Sequence, residues 1–433
     1  MWNKTGSMLE QVMDRRNIDK ALAQVLRNKG ACGADGMETG ELRSYLDANY
    51  QSLREQVLGG SYVPSPVRRV EIPKPQGGVR ILGIPTVLDR LLQQAVSQVL
   101  SPIYEERFSK HSYGFRPNKN AHQAVVQAQG YLNGGKSWVV ELDLEKFFDR
   151  VNHDRLMGVL SWTIKDKPTL KLIRAFLNSG VMDGGTVSQR IEGTPQGSPL
   201  SPLLSNIVLD ELDKELESRG HAYVRYADDC SIYVRSETAA KRVAESIIGY
   251  IESKLLLKVN REKTKVSQPN ESTLLGFTFL KQENGWEIMV AGKSVGRIRD
   301  KCKAITNRSN GLSEQEKIAK LKPVVEGWVN YFVIAKARTK SMMQGLDELV
   351  RTRLRISQWK AWKKPRTRVR ELVKLGVAKL KAIPWGLSSK GYCRIARSPI
   401  LRTTLTNKVF AKRGYHGFYN TYRDKAETQM PLF

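Results

Sequence analysis

Two aspartates stand side by side in YVRYADDCSIYV (223–234), a run whose β-branched and aromatic residues otherwise favour a strand. Aspartate is depleted from strands and expensive to bury without a partner. A surface turn accommodates such a pair, because YADDCS holds turn-tolerant residues. A calcium loop does not, because no EF-hand spacing of oxygen donors surrounds them. The third chemistry is presentation of carboxylates at a hairpin tip to divalent metal ions. It requires another acid at a neighbouring strand end, and VVELDLEKFFD supplies Asp143, closing an apolar strand just before a helix. Carboxylates from two strand ends can bridge two Mg²⁺ ions roughly 3.5–4 Å apart, which activates a hydroxyl and stabilises a leaving oxygen.

The elements that must hold these acids follow from periodicity. NIDKALAQVLRNKG places Ile18, Leu22, Val25 and Leu26 on one helical face, and the glycines of Asn28 to Gly36 end it. ELRSYLDANYQSLREQVLGG reads as a second helix. VRRVEIPKPQGGVRILGIP reads as a hairpin, and TVLDRLLQQAVSQVLSPIYEERF as a helix stopped at or soon after Pro102. WVVELD is a short strand before a helix containing Leu156, and KPTLKLIRAFLNSG is another helix. GTPQGSPLSPLLSNIVLDELDKELESRG turns from a Gly/Pro/Ser loop into a helix near Ser201. A helix, TAAKRVAESIIGYIESKLLLKV, and a hairpin, LLGFTFLKQENGWEIMV, follow the paired acids. Irregular alternation of helices and hairpins gives an α+β fold class. Beyond about residue 290 the pattern is helical and basic.

The 433 residues suffice for two or three domains, and the hydrophobic content of 40% is that of a globular chain. No apolar run is long enough to cross a bilayer, and MWNKTGSMLEQVMDRRN lacks a secretory core, so the expectation is cytoplasmic residence with no membrane partner. The four cysteines form no CxxC pair and the five histidines no cluster, which argues against a disulfide framework and a structural zinc site. Net charge is +28, unevenly placed. Residues 291–433 hold 33 Lys and Arg against 9 Asp and Glu, while residues 1–290 hold 38 against 34. Basicity concentrated in one third calls for a polyanion, and nucleic acid ranks ahead of a membrane surface or a mere solubility device.

YADD, preceded by LDLEKFFD and GTPQGSPLSPLLSNIVLDELD, resembles the palm of reverse transcriptases, and more closely the proteins encoded by bacterial group II introns. SYGFRP (112–117), LKVNREKTKV (257–266) and LLGFTF (274–279) continue the likeness. NKGACGADGM matches the extension ahead of the fingers, and GWVNYF (327–332) the maturase region. The resemblance runs to about residue 415. It implies a right-hand polymerase fold: an amino-terminal extension (1–60), fingers and palm with antiparallel sheet (61–290), a basic helical thumb/maturase domain (291–415) and a short tail (416–433). The absence of Cys pairs near the end resembles the compact class C proteins, which lack an endonuclease domain.

The resemblance also implies roles. Asp143, Asp228 and Asp229 hold two Mg²⁺ ions, with Mn²⁺ a substitute, and the Leu144 carbonyl completes one shell. Phe148 blocks a 2′-hydroxyl, although Phe147 and Phe148 adjoin and at least one must be buried. Gln196 lines the incoming nucleotide's pocket, shaped by Pro195 and Gly197, while Lys74 and Arg80 lie over the triphosphate. Lys263 is the proton donor to pyrophosphate, with Lys265 its competitor. Arg116 is a template-backbone or structural arginine, and Tyr226 packs on the primer or the palm core. Ala227 leaves room at the primer end. In SQWKAWKKPRTRVRELVKLG (357–376) aromatics alternate with cations: Lys360, Lys363, Lys364, Arg366 and Arg368, with Arg353 and Arg355 just ahead of it, are candidate nucleic-acid contacts, and Trp359 and Trp362 are base platforms or core anchors.

The implied activity is RNA-directed DNA synthesis on intron RNA, with help in splicing and retrohoming. Its partners are group II intron RNA, an RNA template with a DNA primer, target DNA and dNTPs. The intact acids weigh against a non-catalytic splicing factor, and GWVNYF against a domesticated enzyme of DNA repair or phage defence. Whether it acts as monomer or dimer is not written in the sequence.

Overall fold

The computed structural model describes residues 6–73, 77–183, 185–188, 192–195 and 197–429. Lys74 and Gln196 lie outside the described residues. The chain forms two compact units, Met1–Gln268 and Pro269–Phe433. Ten strands run through the described residues: β1 (Val67–Pro73), β2 (Val79–Ile84), β3 (Trp138–Leu142), β4 (Val181–Asp183), β5 (Thr186–Ser188), β6 (Ala222–Tyr226), β7 (Asp229–Val234), β8 (Lys265–Ser267), β9 (Phe277–Gln282) and β10 (Gly285–Val290).

The first unit carries two four-stranded sheets. One has the order β2-β1-β4-β5, with β1 antiparallel to β2 and parallel to β4. Its β1–β2 hairpin is the one expected from PKPQGG, and Gly77 and Gly78 take the left-handed conformations that tight turns need. The other, antiparallel throughout, has the order β6-β7-β3-β8. Helix Glu237–Ser253 packs on β3, β7 and β8, and helices Ala121–Asn133 and Ser201–Ser218 pack on β6. In β7, Cys230 through Val234 are all buried, so the strand reads as a continuous apolar run rather than an alternating one. The core of this unit runs from Leu9 to Val259 and includes Val140, Leu142, Tyr223 and Ile232 from the central strands.

The second unit joins the β9–β10 hairpin to helices, chiefly Gly292–Ile305, Glu314–Phe332 and Thr339–Ala361. The expected boundary at 290 splits what packing keeps together. The Phe277 ring lies 4.9 Å from that of Phe332, and the N–H groups of Lys336 and Ala337 both donate to the Ile288 carbonyl. The hairpin therefore belongs with the basic helices, although its charge resembles that of the preceding region. Trp359 and Trp362 are both core residues, packed edge to face at 6.0 Å.

Candidate active site

The β6–β7 register pairs Tyr226 with Asp229, leaving Ala227 and Asp228 as a two-residue turn. Ala227 sits at φ 57, a left-handed conformation that a non-glycine residue holds only under constraint. In the neighbouring ladder Leu142 pairs with Cys230, so the next residue, Asp143, comes level with Asp229. Three carboxylates thus share one rim of the sheet. Asn260 N–H donates to the Asp143 carbonyl and Glu145 N–H to that of Lys258, both at 2.8 Å. These bonds bracket Leu144 and direct its own carbonyl to the other side, toward β7.

Burial raises the Asp228 pKa, and the Asp143 charge adds to the rise, while Arg80 and Arg225 oppose it. Asp229 is pushed up to about 6, first by burial, then by Asp228, Asp143 and Glu141, with Lys263 opposing. Such carboxylates repel one another and favour a cation among them. Among the described residues no three acid, His or Cys side chains converge into a finished metal cage. The donors present, carboxylate and carbonyl oxygens, fit a hard divalent cation.

Beside the acids, Lys146 takes φ 49 and starts the short helix Phe147–Arg150. Phe147 is buried and Phe148 partly buried against the same core, their rings 5.4 Å apart and edge to face. The Phe148 carbonyl accepts from Thr194 N–H at 2.6 Å, and Gly193 N–H donates to the Val151 carbonyl at 2.8 Å. Gly193 is obligatory there: its φ is 85, and a Cβ would stand 2.7 Å from the Asp149 carbonyl oxygen. His153, buried, bonds the Gly193 carbonyl through Nε2 at 2.7 Å. The Gly193–Pro195 segment is thereby fastened alongside the Phe147–Arg150 helix. Gly83 of β2 approaches the same loop, since a Cβ on it would lie 3.4 Å from the Pro195 ring. Arg80 is exposed on that hairpin and acts electrostatically on Asp228.

Lys263 and Lys265 separate. Lys263 Nζ lies 3.5 Å from Asp143 Oδ2, whereas Lys265 is engaged by Glu141 at 2.9 Å. Arg116 requires correction as a nucleic-acid contact. Its side chain is buried, forks onto Glu105 (2.6 to 3.1 Å) and donates to the Ser109 and Ser112 carbonyls, leaving no donor face for a phosphate. Tyr226, partly buried, stands at the base of the acid turn.

A set of residues without an assigned role in the sequence supports that turn. Arg225 is fully buried and forks onto the equally buried Asp213 at 2.7 and 2.5 Å. It also donates to the Ala227 carbonyl, to Asn206 Oδ1 and to Ser112 Oγ at 2.8–3.0 Å. Residues 111–113 run along the free edge of β6: Arg225 N–H donates to the His111 carbonyl and Tyr113 N–H to that of Arg225. Gly114 follows, so close that a Cβ would stand 2.3 Å from the Ala227 nitrogen. The sequence signal was present, a charged residue inside an apolar strand and an aspartate on the apolar face of helix Ser201–Ser218.

Residues 72–279 match the family of reverse transcriptases (RNA-dependent DNA polymerases), and residues 295–376 match the group II intron maturase-specific domain. Protein YkfC of Escherichia coli K12 is 35% identical, over 61% of this chain and 78% of that protein. The group II intron-encoded protein LtrA of Lactococcus lactis subsp. cremoris is 29% identical, over 65% of this chain and 61% of its own. The chain belongs to the group II intron reverse transcriptase/maturase family. A solved structure titled "Partial Cas6-RT-Cas1--Cas2 complex" is 27% identical, with a TM-score of 0.38 over 58% of this chain and 43% of that one.

As a member of that family the protein is a reverse transcriptase, an RNA-directed DNA polymerase that works with divalent metal ions and nucleic-acid partners. In its maturase-type unit the seven candidate cations divide. Lys363, Lys364 and Arg366 are exposed. Arg355 is buried, donating to the Leu405 carbonyl at 3.0 and 3.1 Å, which corrects its reading as a nucleic-acid contact. Arg353 ties helix to helix through Thr306 Oγ1 and the Lys303 carbonyl, and Arg368 lies over Trp359 at 4.6 Å while donating to the Trp362 carbonyl. Lys360 caps the loop at Arg308 and Ser309. Trp328 and Phe332 pack at 4.6 Å as helix-bundle residues.

Proposed function

We propose that this reverse transcriptase copies group II intron RNA into cDNA with two Mg²⁺ ions, and binds the same RNA to assist splicing and retrohoming at a DNA target. The observation that carries the reading is the sheet rim that bears Asp143, Asp228 and Asp229, with Lys263 beside one acid and Phe148 bonded through its carbonyl to Thr194. Asp143, Asp228 and Asp229, with the Leu144 carbonyl, would hold the ions, for which Mn²⁺ can substitute. When bound, they lower the barrier to attack by a primer 3′-hydroxyl and carry charge on the departing pyrophosphate.

The remaining work belongs to the chain. The Phe148 ring bounds the sugar side of the nucleotide pocket and disfavours a 2′-hydroxyl, selecting dNTPs. Arg80, on a hairpin facing the acids, neutralises triphosphate charge as it develops toward the leaving group. Lys263, whose ammonium already lies near Asp143, delivers a proton to pyrophosphate. The buried Arg225 network holds the turn rigid while nucleotides pass.

Extension of a DNA primer on an RNA template tests this reading. Wild-type protein should require Mg²⁺, and Asp228→Ala should lose extension while retaining duplex binding. Full extension by Asp228→Ala would sink the catalytic assignment. Splicing of the parent intron by that same variant would separate the RNA-folding task from synthesis.

A further inference from the structure

We propose that Phe115 is a nucleic-acid contact, its ring packing against a nucleotide of the primer–template duplex beside the acid turn. Phe115 is 55% exposed and holds φ 58. A bulky side chain in the left-handed region is strained, and glycine would relieve that strain. Burial cannot be its recompense, because more than half of the side chain faces solvent.

The strain is imposed by both neighbours. On one side the Gly114 carbonyl accepts from Asn206 Nδ2 at 2.9 Å, and its Cα is pressed against the Ala227 backbone. On the other, Arg116 is locked by Glu105 and the Ser112 carbonyl. Residue 115 bridges these two anchors and its ring is sent outward. Consecutive Cα atoms are about 3.8 Å apart, so the ring stems from a point one residue removed from the catalytic turn. Lys110 and Lys119 occupy the same loop, where Lys119 Nζ reaches the Lys110 carbonyl at 3.2 Å and lies 5.1 Å from the Tyr113 ring. An exposed ring on a loop that also carries two lysines suits a nucleotide, whose base or sugar stacks while its phosphate meets nearby cations. Strain kept at an exposed aromatic next to an active site points to use rather than packing.

This inference rests on the polymerase reading above. The test measures thermal melting, and equilibrium binding of RNA/DNA duplexes carrying 2-aminopurine at the primer 3′ end or at the opposing template position. Phe115→Gly should melt no lower than wild type, yet bind the duplex about ten-fold more weakly and lose most of the probe's quenching. Phe115→Trp should keep both, and Phe115→Leu should retain the fold while losing the quenching. Response of the primer probe alone assigns the ring to the primer, and of the template probe alone to the template. Unchanged binding and quenching in Phe115→Gly would overturn the proposal while wild-type extension left the polymerase reading intact. Absence of duplex binding by wild type would overturn both.

Discussion

Asp228 and Asp229 differ in what their surroundings ask of them. Asp229 feels three other carboxylates and is raised to about 6 from an ordinary 3.8. Within that window the folded protein retains a proton that the unfolded chain has released, so this group's contribution to stability falls as pH rises from about 4 to 6. Above it the acids are ionised and repel, and a divalent cation relieves them. Added Mg²⁺ should therefore raise the melting temperature more at about pH 7.5 than at about pH 5, and Asp229→Asn should shrink the difference; equal gains at both values would contradict the site. For proton transfer, Lys263→Ala should slow single-nucleotide incorporation by about 10²-fold and Lys265→Ala little, in rapid-quench measurements. Those two lysines lie two positions apart in one stretch, and only geometry tells them apart: one meets Asp143, the other Glu141. The position of the acids was legible, because two aspartates interrupting an apolar, β-rich run mark a turn at a strand end. Arg116 and Arg355 were not, because a guanidinium's residue type says nothing of whether it faces phosphate or a buried carbonyl.

The acid turn as an element depends on a segment remote in sequence. Residues 111–114 line the β6 edge, and Arg225 joins them to Asp213 and Asn206. Removing one partner of a buried ion pair strands the other. Asp213→Asn should lower stability by about 3–5 kcal/mol in chemical denaturation, and the double change Arg225→Met with Asp213→Leu should recover much of it. Recovered stability without recovered extension is the expected signature, because the apolar pair cannot hold the Ala227 carbonyl. A double variant with wild-type kcat would mean that the network only stabilises. Hairpins β1–β2 and β9–β10 were visible in turn residues and alternation. The edge pairing of 111–113 was not, since it joins residues more than a hundred apart without a local pattern. Helix Ala121–Asn133 escaped a reading based on apolar periodicity, although its Asn120/Gln123 capping box is a local signal.

At the scale of the molecule, the +24 carried by residues 291–433 is not one uniform surface. Some of it serves folding: Arg355 closes on Leu405, Arg353 on Thr306, and Arg413 on Glu314 at 2.7 and 2.8 Å. Net charge marks out a basic region without dividing it, and sets the boundary at 290 because hairpin β9–β10 is near neutral, whereas the compact units part after Gln268. Lys363, Lys364 and Arg366 are exposed cations that the fold does not consume. Replacing all three with alanine should leave the melting temperature nearly unchanged and weaken binding to intron RNA. It should also flatten the slope of log K against log salt by about 2–3, since each lost phosphate contact removes about 0.7–0.9. Arg355→Ala should do the reverse, destabilising by about 1–3 kcal/mol with an unaltered salt slope in the folded protein. Slopes that fall equally in both variants would show that buried and exposed arginines contribute alike, which the Leu405 carbonyl bonds argue against.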